Sequence, residues 1–307
     1  MNITRHEIPY GSGSLTVRDY GGDGASVLLV HSPGFCALSW DQVAESLEGH
    51  VRALAIDLPG HGASTAAMRR PEDAWRSVVA VSRAMELSSP LLVGLSQGVH
   101  TCLAATIEAR DTFAGVVALG GSCVRSQDGA LDEIAFYTSP QFKEMLRHRF
   151  AFGFSVETER EAEDLIEHMA ARLATDWRVV GFKGLRDEMR YSIRPDPMGG
   201  GWVNLPTPET IQTTLGLDPE SRYFPSEELY RHVDVPVVIV QLADGLDQEL
   251  SQRERDLAIA NDLVSVRGLD AGEYPHYTRH HEVAAIIRET CTMLEHTPHS
   301  PTVAEAG

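Results

Sequence analysis

Residues 91–98 read Leu-Leu-Val-Gly-Leu-Ser-Gln-Gly, and they hold the strongest chemical signal in the chain. A serine hydroxyl becomes a useful nucleophile when its oxygen is presented to solvent beside a base. Here a buried apolar run enters Gly94-Leu95-Ser96-Gln97-Gly98, and a helical pattern follows at once. That strand–turn–helix setting lifts Ser96 above a sheet on a strained turn. Glycine is needed on both sides, because side chains at 94 or 98 would collide with neighbouring elements. The Gln97 amide then lies at a helix N-terminus, where it can donate to a developing oxyanion. The chemistry such a turn serves is acyl transfer.

The elements that must position Ser96 follow from the apolar pattern. Short runs at 26–30, 51–56, 91–93 and 115–119 read as strands buried on both faces. Helical spacing marks 40–47, 71–85 and 99–109 between them. Alternating strand and helix predicts an α/β fold with a mostly parallel sheet flanked by helices. Ahead of it, 5–9 and 14–20 form an antiparallel hairpin through Gly11-Ser12-Gly13. The pattern changes over 124–231, where charged and aromatic residues at helical spacing give way to the loop RPDPMGGGW at 194–202. Phe150, Phe152, Phe154, Trp177, Phe182, Trp202 and Tyr223 are too many aromatics for a linker, and they predict a helical cap after the sixth strand. Strand and helix resume at 235–240, 252–260, 263–266 and 283–294. The expected organisation is a core of 1–123 and 232–295, a cap of 124–231 and a flexible polar tail at 296–307.

The chain resembles the α/β-hydrolase superfamily over nearly its whole length. VLLVHSPGFCALSW (27–40) resembles the family's third strand and oxyanion loop, and AIDLPGHGAS (55–64) its turn after the fourth strand. VPVVIVQLADGLD (235–247) is similar to the acid-bearing strand, and GLDAGEYPHYTRHHEV (268–283) to the terminal histidine segment. The order of serine, acid and terminal segment is the family's order. The resemblance implies that Asp244, or Asp247, is the triad acid, with Asp244 closer to register.

Two departures stand out. The family's last loop commonly reads Gly-His-Tyr-Pro-His, whereas this chain reads Gly272-Glu273-Tyr274-Pro275-His276. Glu273 thus occupies the position of the catalytic base, and His276 a position that is usually non-catalytic. The oxyanion loop reads His31-Ser32-Pro33-Gly34, which puts Pro33, a residue without an N–H, where a donor is expected. Gly34 or Phe35 then has to supply that donor. Three accounts follow: His276 takes the proton of Ser96; Glu273 takes it, with a pKa raised by burial or a neighbouring carboxylate; or hydrolysis is replaced by elimination, cyclisation or another proton transfer.

Composition excludes other classes. A formal net charge of −18 repels phosphate and argues against nucleic acid. Only Lys143 and Lys183 are lysines, so the basic residues are nearly all arginine. Cys36, Cys102, Cys123 and Cys291 show no paired spacing, as expected of free thiols in a reducing compartment. No apolar run is long enough for a signal peptide or a membrane span, so a cytoplasmic location is expected. His276, His280 and His281 lack a third ligand for a metal. MGGGW lacks the lysine and helix of a phosphate loop. His31 and His61 read as packing residues beneath the oxyanion loop, and His100 as a packed helix residue. The expectation is a serine hydrolase of an ester, lactone or thioester of a small or medium apolar substrate, without cofactor or metal, monomeric or homodimeric. Its alternatives are a lyase or cyclase using Glu273, and a small-molecule-binding protein without catalysis.

Overall fold

A computed structural model describes residues 2–173, 184–196, 199–243 and 248–296. Asp244 and Asp247, Trp177, Phe182, Lys183 and nearly all of the expected tail lie outside the described residues.

Six strands precede the insertion: β1 (Thr4–Tyr10), β2 (Gly13–Asp19), β3 (Ser26–Val30), β4 (Arg52–Ile56), β5 (Leu91–Leu95) and β6 (Gly115–Leu119). β10 (Val237–Leu242) and β11 (Val264–Leu269) follow it and complete an eight-stranded sheet ordered β1-β2-β4-β3-β5-β6-β10-β11. β1 pairs antiparallel with β2 and β2 with β4, and all other pairs are parallel. The hairpin register runs from Thr4 opposite Asp19 to Tyr10 opposite Gly13.

The continuous apolar runs arise because both faces of the sheet are covered. Leu28 and Val30 of β3 join one core layer, beneath α2 (Glu72–Ala84) and α3 (Gln97–Glu108). The alternate residues Val27 and Leu29 join the other, beneath α1 (Asp41–Leu47) and α11 (His280–Glu295). α9 (Gln248–Ala260) connects β10 to β11, and the one-turn α10 (Pro275–Thr278) leads into α11.

Between β6 and β10 lie α4 (Gln127–Tyr137), α5 (Pro140–Phe150), α6 (Glu159–Leu173), α7 (Leu185–Ser192) and α8 (Pro208–Leu215). Side-chain oxygens of Ser126, Ser139 and Thr207 accept from Gly129, Phe142 and Thr210 amides and start α4, α5 and α8. The insertion also contains a sheet that helical spacing does not reveal: β7 (Ser155–Val156), β9 (Trp202–Asn204) and β8 (Ile193–Pro195), in that order. Most of the expected 194–202 loop is the link between β8 and β9, with Pro195 opposite Trp202. The aromatics divide by role. Phe150 and Phe152 stack at 5.3 Å, Phe154 is exposed, and Tyr223 packs on Trp75 in the main core. Lys143 of α5 pairs with Glu209 of α8 at 2.6 Å, tying two helices of the insertion together.

Candidate active site

Ser96 lies at the junction of β5 and α3, exposed to solvent, with φ 49° and ψ −119°. A positive φ is costly for a residue with a side chain, and it persists only where surrounding structure enforces it. Three glycines do so. A Cβ on Gly94 would stand 2.7 Å from the Gly98 backbone, and one on Gly98 2.7 Å from the Val30 carbonyl. One on Gly121 would stand 2.6 Å from the Ser96 carbonyl. The Ser96 amide donates to the Leu119 carbonyl at 2.8 Å, which fixes the turn to the end of β6.

The neighbouring Gln97 side chain donates to the Tyr137 hydroxyl at 3.3 Å. That hydroxyl donates to Glu133 at 2.9 Å, and Arg125 donates to the same carboxylate. α4 of the insertion is thus bound to the residue next to Ser96.

The 31–37 loop follows β3. His31 is buried, with Nε2 accepting from the Leu58 amide and Nδ1 bonding the Ser32 carbonyl, which makes Nδ1 the protonated nitrogen. Burial lowers its pKa to about 3, so it is neutral. The Phe35 amide donates to the Ser32 carbonyl at 3.0 Å and is committed to the loop's own turn. Gly34 adopts φ 98°, and the Phe152 ring of the insertion lies over it, within 3.3 Å of where a Cβ would stand. Asp57, at the end of β4, holds the loop from below. Its buried carboxyl accepts from the Ala37 amide at 2.7 Å, the Ala63 amide at 2.9 Å and the Tyr191 hydroxyl at 2.6 Å. Burial raises its pKa.

The terminal segment packs against this loop. The Phe35 ring is 5.5 Å from Tyr274 and 5.6 Å from His276. Glu273 is exposed. His276 is fully buried among Phe35, Trp40, Tyr274 and Tyr277, and neither ring nitrogen has a hydrogen-bond partner among the described residues. Burial lowers its pKa to about 3. Here it packs as an apolar ring.

Residues 27–286 match the model of the alpha/beta hydrolase family. The chain belongs to that family. No curated protein matches the sequence. Among solved structures, E-2-(acetamidomethylene)succinate hydrolase is similar at 21% identity and a TM-score of 0.70, covering 94% of this chain and 98% of its own. The thioesterase domain from the curacin biosynthetic pathway is similar at 18% identity and 0.65, covering 94% and 99%. A thermophilic esterase from Thermogutta terrifontis is similar at 18% identity and 0.64, covering 96% and 100%. At these identities the likeness is one of fold.

For this alpha/beta hydrolase, the structure brings together the 31–37 loop, the 273–277 segment and α7. Ser96 and Gln97 directly follow the adjacent β5, which pairs with β3. Asp244 and Asp247, the expected candidates for the acid, fall outside the described residues. The alpha/beta hydrolase also holds a group that sequence reasoning missed. Glu188 of α7 is buried, with Tyr277 donating to Oε2 at 2.7 Å and Cys36 Sγ 3.8 Å from Oε1. Burial chiefly, with Asp41 and Asp57 nearby, raises its pKa to about 7. No local pattern announces it, since its neighbours come from residues 36 and 277. His100 is the packed helix residue expected, bonded to the Tyr223 carbonyl at 2.6 Å. His280 and His281 both lie 3.0 Å from Ser46 Oγ, and no metal-binding group of three occurs among the described residues. No helix among them is long and apolar enough to cross a membrane.

Proposed function

We propose that the protein hydrolyses an ester, lactone or thioester of a small to medium apolar substrate through Ser96. The observation that carries this reading is the exposed serine held at φ 49° by glycines that admit no Cβ. Strain of that kind is retained where presenting a nucleophile repays it. Ser96 Oγ attacks the carbonyl carbon while its proton passes to a base, the place that Glu273 holds in the terminal segment, and the Gln97 amide donates to the resulting oxyanion. Collapse of the tetrahedral intermediate returns that proton from the base to the leaving oxygen or sulfur and expels the alcohol or thiol; water, deprotonated by the same base, then attacks the acyl-serine, and the proton returns to Ser96 Oγ as the acid leaves. Kinship in fold with an esterase and a thioesterase agrees with this class.

A second reading is a lyase or cyclase in which Glu273 moves a substrate proton without an acyl-enzyme. The caging of His276, whose ring nitrogens have no partner among the described residues, and the committed Phe35 amide favour it, since each withdraws a candidate base or donor for hydrolysis. A fluorophosphonate probe separates the two. Labelling of Ser96 that vanishes in Ser96→Ala, with turnover of short activated esters, supports hydrolysis. An unlabelled serine and no ester turnover would overturn it.

A further inference from the structure

Two crossed tyrosine–carboxyl contacts join α7 to the core. Glu188 and Tyr191 stand three residues apart on one face of that helix. Tyr191, from the helix, donates to the core carboxyl of Asp57 at 2.6 Å. Tyr277, from the core, donates to the helix carboxyl of Glu188 at 2.7 Å. The two carboxyls meet the oxyanion loop at successive residues, because Glu188 meets the Cys36 thiol and Asp57 accepts from the Ala37 amide. We propose that Glu188 is a positioning residue: it latches α7 onto the core and so holds the oxyanion loop and the terminal loop against each other for the reaction at Ser96. The catalytic part of this claim rests on Ser96 being the nucleophile; the latch itself does not.

The groups facing Glu188 give the latch a pH dependence. They are Cys36 from the oxyanion loop, Tyr277 from α10, Asp41 from α1 and Asp57 from the end of β4. Arg18, the nearby cation, is bound to Asp41 at 3.0 Å. Among the described residues no cation lies within ion-pair distance of Glu188, so the ionised carboxyl has no counter-charge among them. Latched, Glu188 has its pKa pushed up to about 7 from its ordinary 4.5; released into water it returns to the ordinary value. The latch is therefore fully strong below the ordinary value and weakens as pH rises through about 7. Linkage lets the latched-to-released ratio fall by up to about two orders of magnitude across that interval.

The test compares wild type, Glu188→Gln and Glu188→Ala by two readouts. The first is the rate of Ser96 labelling by a fluorophosphonate, with ester turnover, from about pH 6 to about pH 8.5. The Glu188→Gln side chain is neutral throughout and keeps an acceptor for Tyr277, so this variant should lack the alkaline fall of wild type and exceed it by about tenfold at the upper end. Glu188→Ala should lower kcat by about tenfold at about pH 6, with the deficit closing toward about pH 8.5 as wild type itself unlatches, and leave KM within about twofold. The second is alkylation of Cys36 by N-ethylmaleimide, followed by peptide mass spectrometry without substrate. Its wild-type to Glu188→Gln rate ratio should rise by about tenfold over the same range, while the ratio at Cys102 stays level. A flat Cys36 ratio, or a wild-type pH profile reproduced by Glu188→Gln, overturns the latch. A rising Cys36 ratio with no labelling or turnover in any protein supports the latch and overturns the Ser96 reading.

Discussion

Replacing Asp57 by alanine should remove a large part of the protein's stability. The carboxyl accepts from two amides and one hydroxyl: Ala37, Ala63 and Tyr191, at 2.7, 2.9 and 2.6 Å. In Asp57→Ala those three donors face no acceptor, and each orphaned buried group costs about 1–3 kcal/mol. Relief from burying the carboxyl offsets part of that sum. The balance resembles removing one partner of a buried pair, about 3–5 kcal/mol. A domain has only about 5–15 kcal/mol in all. Asp57→Asn keeps the shape and one acceptor oxygen but turns an NH2 toward a donor, for about 1–3 kcal/mol. Urea unfolding followed by the fluorescence of the buried Trp40 and Trp75 measures both. A double-mutant cycle with Tyr191→Phe should return a coupling of about 1 kcal/mol. An Asp57→Ala protein within about 1 kcal/mol of wild type, or additive behaviour in the cycle, would refute the reasoning.

Glu273→His should raise ester hydrolysis by about tenfold or more by restoring an imidazole base, and an unchanged rate would show that residue 273 does not take the serine proton. His276→Phe should leave kcat within about threefold, because the ring is caged among four aromatic residues; a collapse in rate with normal folding would make His276 the base. Gly98→Ala forces a methyl against the Val30 and His31 carbonyls, at about 1–3 kcal/mol in stability, together with slower fluorophosphonate labelling; wild-type values of both would contradict the described turn. Burial lowers the pKa values of His31, His61 and His276 to about 3, 4 and 3. Their neutral forms fit the native state, so this stability is present above about pH 6.5 and lost as pH falls through the native values. Each should cost about 2 kcal/mol by about pH 5, which urea midpoints at several pH values would detect and a flat profile would exclude.

The parts legible in the sequence were those with a local cause. Strands such as Val27–Val30 announce themselves because both faces are buried, and Gly94 and Gly98 announce the turn because only glycine fits there. The strands of the insertion, two or three residues long, are too short to show an alternating pattern. Spacing likewise gives no sign of the Glu188 contact, which joins positions 36, 188 and 277 only after folding. His276 follows the same logic: its segment was legible, whereas its confinement by Trp40 and Phe35 depends on packing between distant elements.

The scarcity of lysine has a practical consequence for anyone attaching this protein to something else. Both lysine side chains fall within the insertion, Lys143 on α5 and Lys183 between α6 and α7 in sequence. A dye, resin or crosslinker that reacts with lysine will therefore grip the insertion and leave the side chains of the eight-stranded body untouched. Lys143 is also engaged with Glu209, so acylating it removes a tie between α5 and α8. Immobilisation through lysine would then restrain the part of the molecule that Phe152 and α7 bring against the 31–37 loop, and thiol- or carboxylate-directed coupling would not report the same behaviour.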